Sequence, residues 1–172
     1  MLEEATDILR GSCFVLGVDV NTDLNCAGKY LPGTDAACIA APAFEAVAPG
    51  FAHHFQSGGI IVAGKHFGIN SSREQAVHIL RRMGVAAIVA PSFGRQFFRN
   101  AINNGLPVLE CDISGITGAD ELVIDLNAHT LQVVGQPMVH TLSVMPVAIR
   151  AILREGGLIP FLRKYPDWEV TA

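Results

Sequence analysis

Apolar runs alternate with stretches of helical spacing through the middle of the chain. Runs of apolar and β-branched residues predict strands, and apolar residues three and four positions apart predict helices. Strands that alternate with helices over short connections indicate parallel crossover units, so we expect helices packed outside a parallel sheet. The predicted strands are residues 13–20, 60–63, 85–90 and 106–111, and the predicted helices are residues 71–83 and 93–104.

Other stretches follow a different pattern. Residues 25–57 are broken repeatedly by proline and glycine, which predicts a long connecting segment. Residues 121–126 and 130–134 flank a polar turn and predict a hairpin, and a closing helix is expected over residues 146–154. The chain is therefore predicted to be one α/β domain, residues 1–172, with a central, mostly parallel sheet flanked by helices plus a hairpin.

Composition narrows the class of protein. The chain has 172 residues, of which 50% are hydrophobic and 16% charged, and its mean hydropathy is +0.37. A chain of this length and composition can bury its own core and is not disordered. The formal net charge of -4 offers no basic surface for phosphates, so nucleic acid is not an expected partner. High apolarity with low charge has two interpretations, an unusually well-filled core or an apolar surface that another subunit covers.

The cysteines and the N-terminal residues bear on metal binding and location. Cys13, Cys26, Cys38 and Cys111 are scattered without a C-x-x-C pair, which argues against a zinc ribbon, a redox dithiol or a self-contained iron–sulfur site. No metal ligand is therefore predicted. The N-terminal residues lack the pattern of a secretory leader, and no apolar run approaches the roughly 20 residues that span a bilayer. A cytoplasmic protein with no membrane contact is expected.

The segment with the most chemistry is GKHFGINSSREQA, residues 64–76, which follows an apolar strand and leads into a helix. The free N–H groups at a helix start attract carboxylates and phosphates, and Arg73 can bind such an anion through two parallel hydrogen bonds. Ser71 and Glu74 also fit an S-x-x-E capping box, in which the serine hydroxyl only caps the helix. Taken by themselves, these residues favour the capping interpretation over a catalytic one.

Five motifs, in the same order along the chain, are similar to those of one known family. On these motifs the chain resembles the small subunit of the isopropylmalate dehydratase and homoaconitase family, the separate-chain version of the swivel domain of aconitase. The resemblance covers most of the chain and implies the aconitase-like swivelling β/β/α fold. The motifs are VDVNTD with Asp19, Thr22 and Asp23, GKYL at residues 28–31, SSRE at residues 71–74, SFGRQFFRN at residues 92–100 and NGLP at residues 104–107.

The resemblance implies a hydro-lyase that dehydrates or isomerises a 2-hydroxy dicarboxylic acid. The expected partner is a large subunit that carries a [4Fe-4S] cluster, and this chain is expected to bind no cofactor of its own. Ser71 is similar to the family's base, which removes the proton from carbon, and Arg73 is similar to its carboxylate clamp. Ser72 is expected to donate a hydrogen bond to the substrate or to orient the loop, and Asp23 to line the site.

The loop before the two serines departs from the family pattern. Ile69 and Asn70 stand where family members usually have Cys-Gly. Glycine at the second position permits a positive φ, which asparagine tolerates better than most residues. A changed substrate pocket or weakened activity would follow from the added bulk.

A second departure concerns the choice of substrate. Tyr30 and Leu31 are followed by Pro32 and Gly33, where homoaconitase-like proteins have arginine. Without a guanidinium there, a small or apolar substituent is favoured over a long tricarboxylate, so 3-isopropylmalate or a related small malate derivative is the predicted substrate. The alternative function is a non-catalytic carboxylate-binding or regulatory module that retains the fold. The predicted substrate-binding residues are Arg73, Ser72, Asp23, Tyr30, Leu31, Pro32, Gly33 and Asn70.

Overall fold

Seven strands form one mixed sheet in the computed structural model, which describes residues 7–25, 44–45 and 47–168. The strands are β1 (Ile8–Leu16), β2 (Ile60–Ala63), β3 (Ala87–Ala90), β4 (Val108–Glu110), β5 (Glu121–Asp125), β6 (Thr130–Val133) and β7 (Val139–Thr141). Their order across the sheet is β4-β3-β2-β1-β5-β6-β7.

Strand β1 separates a parallel half of the sheet from an antiparallel half. It pairs in parallel with β2, and β3 and β4 continue that direction. On its other side it pairs antiparallel with β5, and β6 and β7 follow antiparallel. The sheet curls into a half-barrel, because Cys111 after β4 forms a bridge with Leu142 after β7. The predicted α/β fold with flanking helices and a hairpin is confirmed, but the sheet is mixed rather than mostly parallel, with three parallel and three antiparallel strand pairs among the described strands.

Six helices lie in the described part of the chain, and all except the first pack through buried apolar side chains on one face of the curled sheet. They are α1 (Thr22–Asn25), α2 (Phe51–His54), α3 (Gln75–Arg82), α4 (Arg95–Asn103), α5 (Val147–Arg154) and α6 (Leu158–Lys164). Helices α3, α4 and α5 match the predicted helices, although α3 begins later than its apolar spacing suggests. Helix α6 was not predicted; Phe161, which it buries completely, fixes it against the other helices.

Apolar side chains fill both faces of the sheet, which explains why β2 and β3 are apolar throughout. Ile60 and Val62 of β2 point into the curled sheet, whereas Ile61 and Ala63 point towards the helices. This alternation is the period of a strand. Burying a side chain as large as Ile60 or Ile61 contributes roughly 1.5–3 kcal/mol.

The long connecting segment predicted over residues 25–57 lies largely outside the described residues. Its described part, residues 44–45 and 47–57, consists of turns followed by the short helix α2. No helix in the described ranges is both long enough and apolar enough to cross a membrane.

Candidate active site

The loops that follow β1 and β2 run side by side at the carboxyl ends of these parallel strands. Ligands of α/β sheets bind at this edge, outside the carboxyl ends of the strands. The predicted catalytic segment therefore lies where the fold favours a site. Three backbone hydrogen bonds join the two loops: Gly64 N to Gly17 O at 3.0 Å, Asp19 N to Lys65 O at 2.9 Å, and Gly68 N to Val20 O at 2.8 Å.

Ser71 directs its hydroxyl towards the loop that follows β1. The hydroxyl donates to Oδ1 of Asp23 at 3.0 Å, and Ser71 is only 3% exposed. Asp23 is half-buried, and its own N–H donates to Oδ1 of Asn21, which fixes the start of α1. The structure thus brings together two predicted site residues that lie 48 positions apart.

The capping-box interpretation of Ser71 and Glu74 is wrong for this helix. Helix α3 begins at Gln75, with Glu74 in the cap position and no side-chain cap hydrogen bond. The Ser71 hydroxyl donates to Asp23 instead of serving the helix. Because a helix start leaves its first N–H groups without intrahelical partners, those of α3 remain available to an anion.

The two residues between Ser71 and Glu74 are exposed. Ser72 and Arg73 both point into solvent, and Arg73 forms no ion pair with any carboxylate in the described part of the chain. The carboxylate of Glu74 accepts a hydrogen bond from Nδ2 of Asn104 at 2.7 Å. The Arg73 guanidinium, two residues after Ser71 in the chain, is therefore available to bind an anionic ligand.

Asn70 shows how the chain accommodates its departure from glycine. Its φ is 57°, in the left-handed region that asparagine enters more easily than most residues. The backbone path before the serines therefore requires the conformation that glycine permits. The exposed Asn70 side chain adds bulk beside Ser71 without burial.

The loop that follows β2 packs closely against the start of α4. A Cβ on Gly68, whose φ is 76°, would lie 2.4 Å from Cγ of Phe97. A Cβ on Gly94 would lie 2.3 Å from the carbonyl oxygen of Gly68. Glycine at both positions lets α4 serve as a rigid support for the loop.

A second pair, which sequence reasoning missed, joins the same two loops. Oδ1 of Asp19 and Nδ1 of His66 are 2.8 Å apart, and both side chains are more than half exposed. Both residues have positive φ, 52° and 63°. The sequence carried no signal for this pair, because Asp19 lay inside the strand predicted over residues 13–20, whereas β1 ends at Leu16.

The described cysteines do not fit an iron–sulfur cluster. Burial raises the pKa of the Cys13 thiol to about 12 and the pKa of the Cys111 thiol to about 11. Both thiols lie among buried apolar side chains of the sheet, where a charged thiolate is disfavoured. Across the described ranges, no three His, Cys, Asp or Glu side chains are placed to hold a metal ion. Cys26 and Cys38 lie outside those ranges.

Several predicted substrate-binding residues cannot be placed beside Ser71. Tyr30, Leu31, Pro32 and Gly33 lie outside the described residues, so their contact with substrate stays a prediction.

Known proteins are similar in sequence to this chain over nearly its whole length. It is 40% identical to the 3-isopropylmalate dehydratase small subunit of Methanosarcina mazei over 157 residues, which are 91% of this chain and 97% of that protein. It is 38% identical to the corresponding small subunit of Moorella thermoacetica over 159 residues, 91% of this chain and 96% of that protein. The chain belongs to the family of 3-isopropylmalate dehydratase small subunits.

Domain and structure comparisons agree with this family. Residues 42–112 match the aconitase C-terminal domain. The crystal structure of 3-isopropylmalate dehydratase from Methanocaldococcus jannaschii superposes with a TM-score of 0.84 at 34% identity, covering 92% of this chain and 95% of that one. The resemblance drawn from the five motifs and the aconitase-like swivel fold are confirmed. An enzyme subunit is supported over a non-catalytic binding module, because these relatives are named as subunits of a hydro-lyase.

Proposed function

We propose that this chain acts with an iron–sulfur large subunit to dehydrate and isomerise 3-isopropylmalate or a closely related small malate derivative. The observation that carries the proposal is the hydrogen bond from the buried Ser71 hydroxyl to Asp23, in a segment whose exposed Arg73 follows Ser71 by two residues. A hydroxyl, a carboxylate placed to take its proton and a cation for a substrate carboxylate are the groups needed to remove a proton from carbon.

Ser71 removes the proton from carbon. A serine hydroxyl is a weak base in water, so it must first give up its own proton. Asp23 accepts the hydrogen bond from that hydroxyl at 3.0 Å, and the 3% exposure of Ser71 limits competition from water. The positive end of the α3 dipole, a few residues after Ser71, favours negative charge in this part of the site. Asp23 therefore orients Ser71 in addition to lining the site.

The dehydration breaks two bonds on neighbouring carbons. The C–H bond breaks as Ser71 takes the proton, and its electron pair forms the carbon–carbon double bond. The C–O bond on the other carbon breaks with its electron pair on oxygen, and the leaving hydroxyl becomes water with a proton from solvent, while the proton taken by Ser71 returns to solvent through Asp23. Isomerisation follows when water adds back with the positions of hydroxyl and hydrogen exchanged. Arg73 holds a substrate carboxylate through both the dehydration and the addition of water, because two parallel hydrogen bonds fix the position and orientation of the carboxylate.

The large subunit completes the site. Its [4Fe-4S] cluster supplies Lewis-acid chemistry at the hydroxyl and a carboxylate of the substrate. The exposed positions of Ser72 and Arg73 suit a site that closes when a second chain covers them and expels water. Reduced thiols such as Cys13 and Cys111 suit an enzyme of the cytoplasm.

A substrate panel tests the proposal. The chain is assembled anaerobically with its large subunit and assayed with 3-isopropylmalate, citramalate, malate and homoaconitate. We expect kcat/KM for a small malate derivative, 3-isopropylmalate first, to exceed that for homoaconitate by at least about tenfold. Absence of turnover with every acid, or a preference for the tricarboxylate, would contradict the proposal.

A further inference from the structure

Two asparagines in the family motifs have no part in the chemistry described so far. Asn100 lies on α4, and Asn104 caps its C-terminal end. Both side chains reach the SSRE segment before α3. Nδ2 of Asn104 donates to Oε1 of Glu74 at 2.7 Å, and Nδ2 of Asn100 donates to the carbonyl oxygen of Ser72 at 3.4 Å.

These hydrogen bonds hold the residues on either side of Arg73. The carbonyl of Ser72 and the carboxylate of Glu74 are both attached to α4, so the backbone of Arg73 is held between two anchors. Because α4 itself supports the preceding loop through Gly68 and Gly94, the anchors belong to a rigid element.

Asn104 is itself fixed in orientation. Its Nδ2 also donates to the carbonyl oxygen of Asn100 at 2.8 Å, and its Oδ1 accepts from Nε2 of His78 at 3.0 Å. An amide whose donor and acceptor ends are both occupied presents its N–H to Glu74 in one orientation.

A Glu74 carboxylate released from Asn104 would compete with the substrate for Arg73. It belongs to the residue adjacent in sequence, and a guanidinium paired with a carboxylate of its own chain is less available to a substrate carboxylate. In the structure Glu74 binds Asn104 on α4, and Arg73 pairs with no described carboxylate.

We propose that Asn104, supported by Asn100 and His78, is a positioning residue that holds Glu74 away from Arg73 and so keeps the guanidinium available to the substrate. The inference rests on the proposed function, in which Arg73 binds a substrate carboxylate. This role differs from a packing role in one respect. If Asn104 acts by holding the Glu74 carboxylate, then neutralising Glu74 should restore the substrate affinity that is lost when Asn104 is replaced.

The test first removes the hydrogen-bond donor from Asn104 and then exchanges donor and acceptor between Asn104 and Glu74. Asn104→Asp places an oxygen against the Glu74 carboxylate and should release it. In the complex with the large subunit, we expect KM for 3-isopropylmalate to rise about 5- to 10-fold while kcat changes less than about twofold. Adding Glu74→Gln restores a donor facing an acceptor and should return KM to within about twofold of the wild type. The matched control is Asn103→Asp, an exposed position one residue earlier on α4.

A second measurement does not depend on turnover. Amide hydrogen exchange across residues 71–75 should be faster in the Asn104→Asp variant than in the Asn103→Asp variant, and slow again in the double variant. An unchanged KM, a failed rescue in a variant that melts like the wild type, or unchanged exchange would each overturn the inference. A wild-type complex inactive on the whole acid panel would instead count against the proposed function, and the exchange experiment would still decide the positioning role.

Discussion

The polar side chains of the parallel and antiparallel halves of the sheet differ in their surroundings and in their expected roles. At the carboxyl ends of β1 and β2, in the parallel half, Asp19, His66 and Asn70 have left-handed backbones around the buried Ser71 hydroxyl. Around the antiparallel half, polar groups form cross-strand and peripheral pairs, such as Arg10 with Glu121 on neighbouring strands. Among the described non-glycine residues between β5 and β7, only His129 in the hairpin turn has a positive φ. Backbone strain costs stability and persists mainly where function needs it. Replacing the Ser71 or Arg73 side chain in the first region should therefore change the kinetics of the complex, whereas substitutions in the second region should change stability alone.

The largest effect on stability is expected in the core of the antiparallel half. Leu122 on β5 is completely buried inside the curled sheet. Leu122→Ala should lower the free energy of unfolding by about 2–5 kcal/mol, because it leaves a cavity. Denaturant unfolding measures the loss. In the assembled complex, kcat and KM per folded molecule should stay at wild-type values, and a change in KM would break the division between the halves.

Arg73→Lys tests the region at the carboxyl ends of β1 and β2, in the parallel half of the sheet. A lysine keeps the charge but loses the fork of two hydrogen bonds, so KM for the preferred acid should rise about tenfold, equivalent to about 1.4 kcal/mol. Steady-state kinetics of the complex gives the value, with kcat little changed. The control is Arg163→Lys on α6, also an exposed arginine. An equal KM in the two variants would remove the clamp role of Arg73.

Asn70 tests the backbone strain next to Ser71. With φ at 57°, Asn70→Val should cost roughly 1–2 kcal/mol, since a β-branched residue is disfavoured in the left-handed region. Asn70→Gly should be neutral or slightly stabilising. Thermal unfolding of the two variants side by side measures the difference. Equal melting temperatures would show that this position carries no strain.

The smallest effect concerns the pair at the periphery of the antiparallel half. Hydrogen bonds from the Arg154 guanidinium lower the pKa of the Asp7 carboxyl, and Asn127 of the hairpin turn donates to the same carboxylate at 2.6 Å. Asp7→Asn should therefore cost roughly 0.5–1 kcal/mol at neutral pH.

The pH dependence of that loss has a defined sign. Because the folded pKa of Asp7 is lowered, its contribution is present above the unfolded carboxyl pKa, about 3.9, and disappears as the pH falls through the folded value. Unfolding measured from pH 7 downward should show wild type and Asp7→Asn converging in acid. The exposed Asp167→Asn is the control, and a constant gap between wild type and Asp7→Asn would rule out the ionic origin.

The sequence predicted the elements that depend on local apolar pattern. Strand β2 begins and ends at the predicted residues because it is buried on both faces. Strand β7 was missed, since only His140 of its three residues is buried and so short a stretch has no period. Strand β1 begins earlier than predicted because its first residues, partly exposed and paired with β5, lack a continuous apolar run.

The functional contacts were only half predictable. The motifs singled out Ser71, Arg73 and Asp23. The capping-box prediction was wrong because it uses a local pattern, whereas the hydrogen-bond partner of Ser71 lies 48 residues away. The attachment of Glu74 to Asn104 spans 30 residues and depends on how α4 packs against the loop. Contacts between separate elements leave no periodic signal in the sequence.

The most direct test of the account is the turnover number of the Ser71→Ala complex. Removing the base should lower kcat by about 10²- to 10⁴-fold, with KM within about threefold of the wild type. Ser57→Ala, an exposed serine before β2 at the opposite edge of the sheet, should behave as the wild type. A kcat for Ser71→Ala equal to that of Ser57→Ala would contradict the claim that this hydroxyl removes the proton from carbon.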